Sequence, residues 1–148
     1  MTMNFSPAAP AIAQTARAAP IPAPATARRR VLVVDDSAVV RTLYSETLVQ
    51  AGYEVHEAED GQAALACLDG RPLDCIVCDL GMPHVDGRSF LRLLRVDPRY
   101  GRVPVLVIST DSREETRLAV RTAGAKAFIS KPCHCGDLLD AVNRLCRR

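Results

Sequence analysis

Short apolar runs alternate along the chain with longer stretches in which apolar positions recur three and four residues apart. The runs cover 31–34, 53–58, 75–78, 103–108 and 127–129. Each is shorter than an ordinary helix and most favour Val and Ile, so they predict five strands. The intervening stretches place Val39, Val40, Leu43, Thr47 and Leu48 on one helical face, then Ala63, Ala64, Cys67 and Leu68, then Phe90, Leu91 and Leu94. Leu118 and Ala119 mark a fourth helix, and Leu138, Leu139, Val142 and Leu145 a fifth. Turn pairs such as Ala51-Gly52, Asp60-Gly61, Asp86-Gly87 and Ala123-Gly124 fall in the gaps. Strand and helix in strict alternation predict an α/β fold, because parallel neighbours need crossover connections and those helices cover both faces of the sheet.

The pattern begins only near residue 30. Residues 1–28 are rich in Ala and Pro, hold few large apolar groups and no acid, and are expected to form a disordered tail ahead of a domain at 29–148. The prolines at 7, 10, 20, 22 and 24 break up any compact apolar leader or bilayer span there, so no membrane association is expected. Of 148 residues, 48% are hydrophobic and 24% charged, a composition that suits one globular domain and leaves too little chain for two. The formal charge of +2 comes from the first 30 residues, which carry four Arg; the remaining 118 are slightly acidic. Nucleic-acid binding by the domain is therefore not expected, since it requires clustered positive charge against phosphates. Arg28, Arg29 and Arg30 are expected to solvate the start of the first strand.

Ligands of open parallel sheets bind beyond the carboxyl ends of the strands. Those ends carry Asp35 and Asp36 after the first strand, Asp79 after the third, Ser109-Thr110-Asp111 after the fourth, and Lys131-Pro132 after the fifth. Three carboxylates at one edge repel one another unless a cation shares the site, and an all-oxygen set suits Mg²⁺, which is commonly bound together with phosphate. Lys131 and Ser109 can meet phosphoryl oxygens, and an Asp can accept a phosphoryl group as an acyl phosphate. Only two of the 19 basic residues are Lys, which adds a little weight to Lys131 as a wanted ammonium.

The strings VLVVDDS (31–37), CDLGMPHVDG (78–87), VLVISTD (105–111) and AFISKP (127–132), in this order and spacing, resemble the receiver domain of bacterial two-component response regulators. The resemblance covers about 29–148, with the layout of stand-alone, CheY-like receivers. It implies a doubly wound (βα)5 sheet in the flavodoxin-like order 2-1-3-4-5. It implies further that Asp79 is the phosphoacceptor, taking phosphorus from the phosphohistidine of a histidine kinase or histidine phosphotransfer protein. Asp35, Asp36, Asp79 and the Gly81 carbonyl would hold Mg²⁺, Lys131 and Ser109 would contact the phosphoryl group, and Phe128 would be the aromatic switch. The Lys131-Pro132 bond would be cis. Such a protein is cytoplasmic, is no enzyme beyond its own phosphorylation and dephosphorylation, and signals through altered protein contacts or relays phosphate. Its downstream target would dock on the fourth helix, fifth strand and fifth helix, and dimerisation on phosphorylation is a further expectation. Phe128 lacks the phenol oxygen of Tyr, Thr110 stands where relatives usually have Ala, and Gly81 and Asp111 flank the expected phosphate.

Two other functions share parts of the pattern. A flavodoxin-like cofactor binder would need a phosphate-cradling loop after the first strand, where Asp35-Asp36 would instead repel it. An Asp-nucleophile hydrolase would need an acid two residues after the nucleophile, where Gly81 sits. Arg88, Arg92, Arg95 and Arg99 form one basic stripe and Arg113, Arg117 and Arg121 another; both read as solvated faces, the second also as a contact for an acidic partner. The six Cys are expected to be reduced. Cys75 and Cys78 point to opposite sides of a strand, Cys133-His134-Cys135 lacks the paired spacing of a structural zinc site, and His56 and His84 have no partner pattern.

Overall fold

In the computed structural model, which describes residues 27–147, every strand and helix expected from the sequence is present. The chain order is β1 (Arg30–Val34), α1 (Ala38–Gln50), β2 (Glu54–Ala58), α2 (Gly61–Ala66), β3 (Cys75–Cys78), α3 (Gly87–Val96), β4 (Val105–Ser109), α4 (Glu114–Thr122), β5 (Ala127–Ser130) and α5 (Cys135–Cys146). The strands form one parallel sheet in the order β2-β1-β3-β4-β5. Most of the expected tail, residues 1–26, lies outside the described residues; Ala27 and Arg28 are exposed and irregular.

Central strands of a parallel sheet are covered on both faces, which is why β1, β3 and β4 read as unbroken apolar runs. Alternate residues divide between two cores. Leu32, Val34, Ile76, Cys78, Val105 and Val107 pack with Ala64, Phe90, Leu91, Leu94 and Val120 under α2, α3 and α4. Val31, Val33, Cys75, Val77, Leu106 and Ile108 pack with Tyr44, Leu48, Leu138 and Val142 under α1 and α5. Cys75 and Cys78 accordingly lie in different cores, as the strand period requires. Three helices start on side-chain caps: Ser37 accepts from the Val40 N–H, Asp60 from Ala63 and Asp86 from Ser89.

The structure corrects several expectations of detail. Val39 and Leu43 face solvent, at 80% and 47% exposure, while Tyr44, Ser45 and Leu48 turn inward. On α4 the buried residues are Thr116 and Val120, one turn apart, and Leu118 and Ala119 are exposed. Arg30 does not solvate the strand start. It is buried within β1, donating to Asp69 and the Pro72 carbonyl, with its Nε 3.4 Å from Glu54 Oε1. Arg95 is no stripe residue either: its guanidinium donates to the carbonyls of Gly101, Val103 and Gly124 at 2.7–2.9 Å, tying α3 to the loop before β4 and the turn after α4.

Candidate functional site

The parallel topology delivers the chemically distinctive residues to one edge. Strand pairing continues one residue past β1, β3 and β5: the Asp35 N–H donates to Ala58, the Asp79 N–H to Val34 and the Lys131 N–H to Ser109. Asp35 and Asp79, at 2% and 8% exposure, are buried at the floor of the edge, and Asp36 is exposed above them. One carboxylate oxygen from each of Asp35, Asp36 and Asp79 lies within 4.8 Å of the others. Among the described residues this is the only cluster of three or more acidic, His or Cys side chains close enough to share an ion. Cys133, His134 and Cys135 do not gather in this way; Cys135 Sγ accepts instead from Thr47 Oγ1. His56 and His84 both have carboxylate partners that the sequence pattern did not reveal, Glu54 and Asp60 respectively, each at 3.0 Å.

Lys131 projects into the cluster from the end of β5, across a Lys131-Pro132 bond that is cis as expected. Its Nζ lies 2.9 Å from Asp35 Oδ2 and 3.5 Å from Asp79 Oδ2. The other oxygen of Asp35 accepts from the Ser37 N–H at 2.9 Å, and that of Asp79 from the Leu80 N–H at 2.8 Å. Arg41 on α1 donates to the Asp35 carbonyl at 2.7 Å, a contact that no motif signalled.

One ammonium serving two buried carboxylates leaves the site short of positive charge. Burial pushes the Asp79 carboxyl above its ordinary range; Lys131 pulls it down and Asp35 pushes it up again. Burial works against the Lys131 charge, but its hydrogen bond to Asp35 and the Asp79 charge outweigh that, so its pKa is raised. A cation held by oxygen atoms would relieve the excess, and the three Asp supply hard oxygen donors of the kind Mg²⁺ takes. The residues present therefore fit that ion.

An open cleft of about 370 Å³ lies over Asp79 and is lined also by Gly81, Arg88, Ser109, Thr110 and Lys131. Ser109 is buried, and its Oγ accepts from the Asp111 N–H at 3.1 Å. The approach of α3 to this floor depends on glycine. A Cβ on Gly87 would stand 2.2 Å from the Asp79 carbonyl oxygen, so a larger residue cannot occupy the helix start without moving the acid. Arg88, expected on a solvated stripe, lines the cleft instead. Phe128 does not line it. The ring is half-buried on the α4–β5 side, beneath the Arg117 guanidinium at 4.7 Å, beside a second groove of about 350 Å³ bordered by Leu118, Arg121 and Lys126.

The family model described as the response regulator receiver domain matches residues 31–143. Over 115 residues the chain is 36% identical to the CAI-1 autoinducer sensor kinase/phosphatase CqsS of Vibrio cholerae, covering 77% of this chain and 17% of that protein. It is 37% identical over 118 residues to the KDP operon transcriptional regulatory protein KdpE of Escherichia coli, covering 80% of this chain and 51% of the other. The chain thus spans no more than about half the length of these curated relatives. Among solved structures it is similar to the chemotaxis protein CheY4 of Vibrio cholerae, with TM-score 0.77 and 35% identity over 80% of this chain and 99% of that one. The receiver domain of the Francisella response regulator 1452 gives TM-score 0.73 and 29% identity over 80% and 96%.

Proposed function

Because this chain belongs to the response regulator receiver domain family, we propose that it is a single-domain, cytoplasmic response regulator whose phosphoacceptor is Asp79. The observation that carries this reading is a buried carboxylate of raised pKa at the floor of an open cleft, beside Lys131 and within the three-aspartate cluster. The donor is the phosphohistidine of a histidine kinase or histidine phosphotransfer protein. An Asp79 oxygen forms a bond to phosphorus, the P–N bond breaks, and the imidazole departs with the electron pair, leaving an acyl phosphate. Asp35, Asp36, Asp79 and the Gly81 carbonyl would hold Mg²⁺, which when bound would supply Lewis-acid neutralisation of phosphoryl oxygen charge.

The chain's own groups divide the remaining work. Lys131 keeps its proton beside Asp35 and Asp79, so it offers a fixed charge to the phosphoryl group rather than a proton-transfer site. Ser109, at the end of β4, supplies a hydroxyl donor once its Oγ is reoriented from the Asp111 amide. Phe128 then acts as the packing element that links this edge to the α4–β5 groove. That groove, with Arg117, Arg121 and Lys126 around the exposed Leu118, is the proposed docking surface for an acidic downstream partner, together with α5.

Labelling by acetyl phosphate, read as intact mass, tests the assignment. The wild type gains about 80 Da per phosphoryl group only when Mg²⁺ is present, and Asp79→Asn gains nothing. Equal labelling of both proteins would place the acceptor elsewhere.

A further inference from the structure

We propose that Arg88 is a second phosphoryl-binding cation of this site and that it exchanges Thr116 for the phosphoryl group when Asp79 is modified. The inference rests on the reading of Asp79 as phosphoacceptor and adds a residue which that reading does not use.

Position comes first. Arg88 is the second residue of α3, directly after Gly87, whose Cα is pressed against the Asp79 carbonyl. The arginine backbone is thereby held within one residue of the acceptor's own backbone, and its half-buried side chain lines the same cleft as Asp79, Ser109 and Lys131. Among the described residues the only hydrogen bond of its guanidinium is from Nη2 to Thr116 Oγ1, at 3.4 Å. That distance is at the long end for an N–H donor, so the fork of five donors is weakly committed.

Its present partner leads toward the edge of the site. Thr116, at 2% exposure, donates from Oγ1 to Asp111 Oδ2 at 2.8 Å, and the Asp111 amide donates to Ser109 Oγ at 3.1 Å. Arg113 grips the same Asp111 carboxylate at 2.8–2.9 Å. Arg88 is thus one end of a chain of contacts that runs through the first turn of α4 to Ser109.

Charge supplies the direction of exchange. A phosphoryl group on Asp79 carries roughly 1.5 to 2 negative charges in place of the single carboxylate charge, so the site gains up to about one and the charge moves out into the cleft. Lys131 is already divided between Asp35 and Asp79. A planar guanidinium matches phosphoryl oxygens with paired N–H donors, and such charge-assisted bonds are about twice as strong as the neutral bond to a threonine hydroxyl. Once Arg88 turns to the phosphoryl group, Thr116 and Asp111 lose their tie to α3, and the first turn of α4 is free to move beside the proposed docking groove.

Acetyl phosphate labelling of the full chain with Mg²⁺, followed by intact mass at several donor concentrations, separates the alternatives. Arg88→Ala is expected to raise the apparent KM for acetyl phosphate about tenfold or more, the loss of one charged hydrogen bond. Arg88→Lys, which keeps the charge but loses the paired donors, should restore part of it, and Thr116→Val, which frees the guanidinium, should leave KM unchanged or lower. An unchanged KM in Arg88→Ala, a Lys variant as poor as the Ala variant, or a Thr116→Val that reproduces Arg88→Ala would each overturn the proposal, the last by making Arg88 a prop for the loop. Wild type left unlabelled by both acetyl phosphate and phosphoramidate, or Asp79→Asn labelled equally, would overturn the phosphoacceptor reading and this one with it. Normal behaviour of those two proteins beside an unaffected Arg88→Ala would remove only the role of Arg88.

Discussion

Replacing Asp79 with Asn is expected to stabilise the fold at neutral pH when divalent ions are chelated. Lys131 Nζ lies 3.5 Å from Asp79 Oδ2, an attraction of about 5 kcal/mol at an effective dielectric constant near 20. Against it stands repulsion from the buried Asp35 at 4.8 Å or less, about 3.5 kcal/mol or more on the same scale. The exposed Asp36 adds no more than about 1 kcal/mol after screening. These charge contributions nearly cancel, and the Leu80 N–H that Asp79 accepts can be met equally by an Asn side-chain oxygen, so what remains is chiefly the cost of keeping a carboxylate out of water, the largest influence on Asp79. An amide also resists burial but carries no charge, so Asp79→Asn should gain about 1–2 kcal/mol. For a domain of this size that is a rise of roughly 4–8 °C in Tm. The sign with pH follows from the raised carboxyl: between its ordinary value of 3.8 and its folded value the native state binds more protons than the unfolded chain. Wild-type stability therefore falls relative to the variant as pH rises through that window, and the gap closes below about pH 4. Urea melts in EDTA at pH 7 and pH 4 read both quantities. Mg²⁺ should then stabilise the wild type by mass action, by about 1.4 kcal/mol at ten times its Kd, and the variant less. A variant no more stable at pH 7, or a gap independent of pH, would refute the account of the site as short of positive charge.

Three further substitutions probe the scaffold around the site. Lys131→Met leaves Asp35 Oδ2 buried without its cation and should cost about 3–5 kcal/mol in urea melts with chelator, part of it recovered on adding Mg²⁺; an unchanged midpoint would contradict the pairing at 2.9 Å. Gly87→Ala places a methyl 2.2 Å from the Asp79 carbonyl and should lose about 3 kcal/mol or more, together with acetyl phosphate labelling; retention of both would show that α3 can retreat freely. Arg95→Ala removes three hydrogen bonds to carbonyls and should cost about 2–4 kcal/mol. Its exposed neighbour Arg92→Ala should stay within about 0.5 kcal/mol, and similar midpoints for the two would sink the distinction.

The stripe that holds both of those arginines shows where sequence reasoning stops. Arg88, Arg92, Arg95 and Arg99 repeat at helical spacing, yet the first lines the cleft, the second is solvated, the third binds three loop carbonyls and the fourth lies beyond the end of α3. Periodicity fixes a face of the helix but not what tertiary structure brings against it. The same limit explains Arg30, whose partners Asp69 and Pro72 are about 40 residues away, and α4, where the sheet-facing row is set by helix position and takes Thr116 in preference to the more apolar Leu118. The strands were legible because a parallel sheet buries both faces, so each central strand announces itself as a continuous apolar run. Lys131 and the three aspartates were legible for the converse reason: polar groups placed abruptly after such runs mark the sheet edge where the crossovers converge.

That abruptness also ties the chemistry to the stability of the fold. Elsewhere among the described residues most buried carboxylates and hydroxyls find partners, the Ser45 hydroxyl excepted: Asp60 caps α2 and holds His84, and Thr116 holds Asp111. At the edge three carboxylates cluster around one ammonium that reaches only two of them, an arrangement that a sequence selected for stability alone would replace with neutral groups. The excess negative charge works in opposite directions on the two steps proposed for this site. It favours capture of a divalent cation, yet it repels an incoming phosphoryl group until cations offset it. Positive groups that reach the cleft without adding to the permanent pairing of the floor are then of most use, and Arg88, held by a single 3.4 Å bond at the rim, is such a group. Lys131 fixes the floor in its resting arrangement, while a weakly committed guanidinium answers only when new charge arrives, so phosphorylation can move α4 without first breaking the site that receives it.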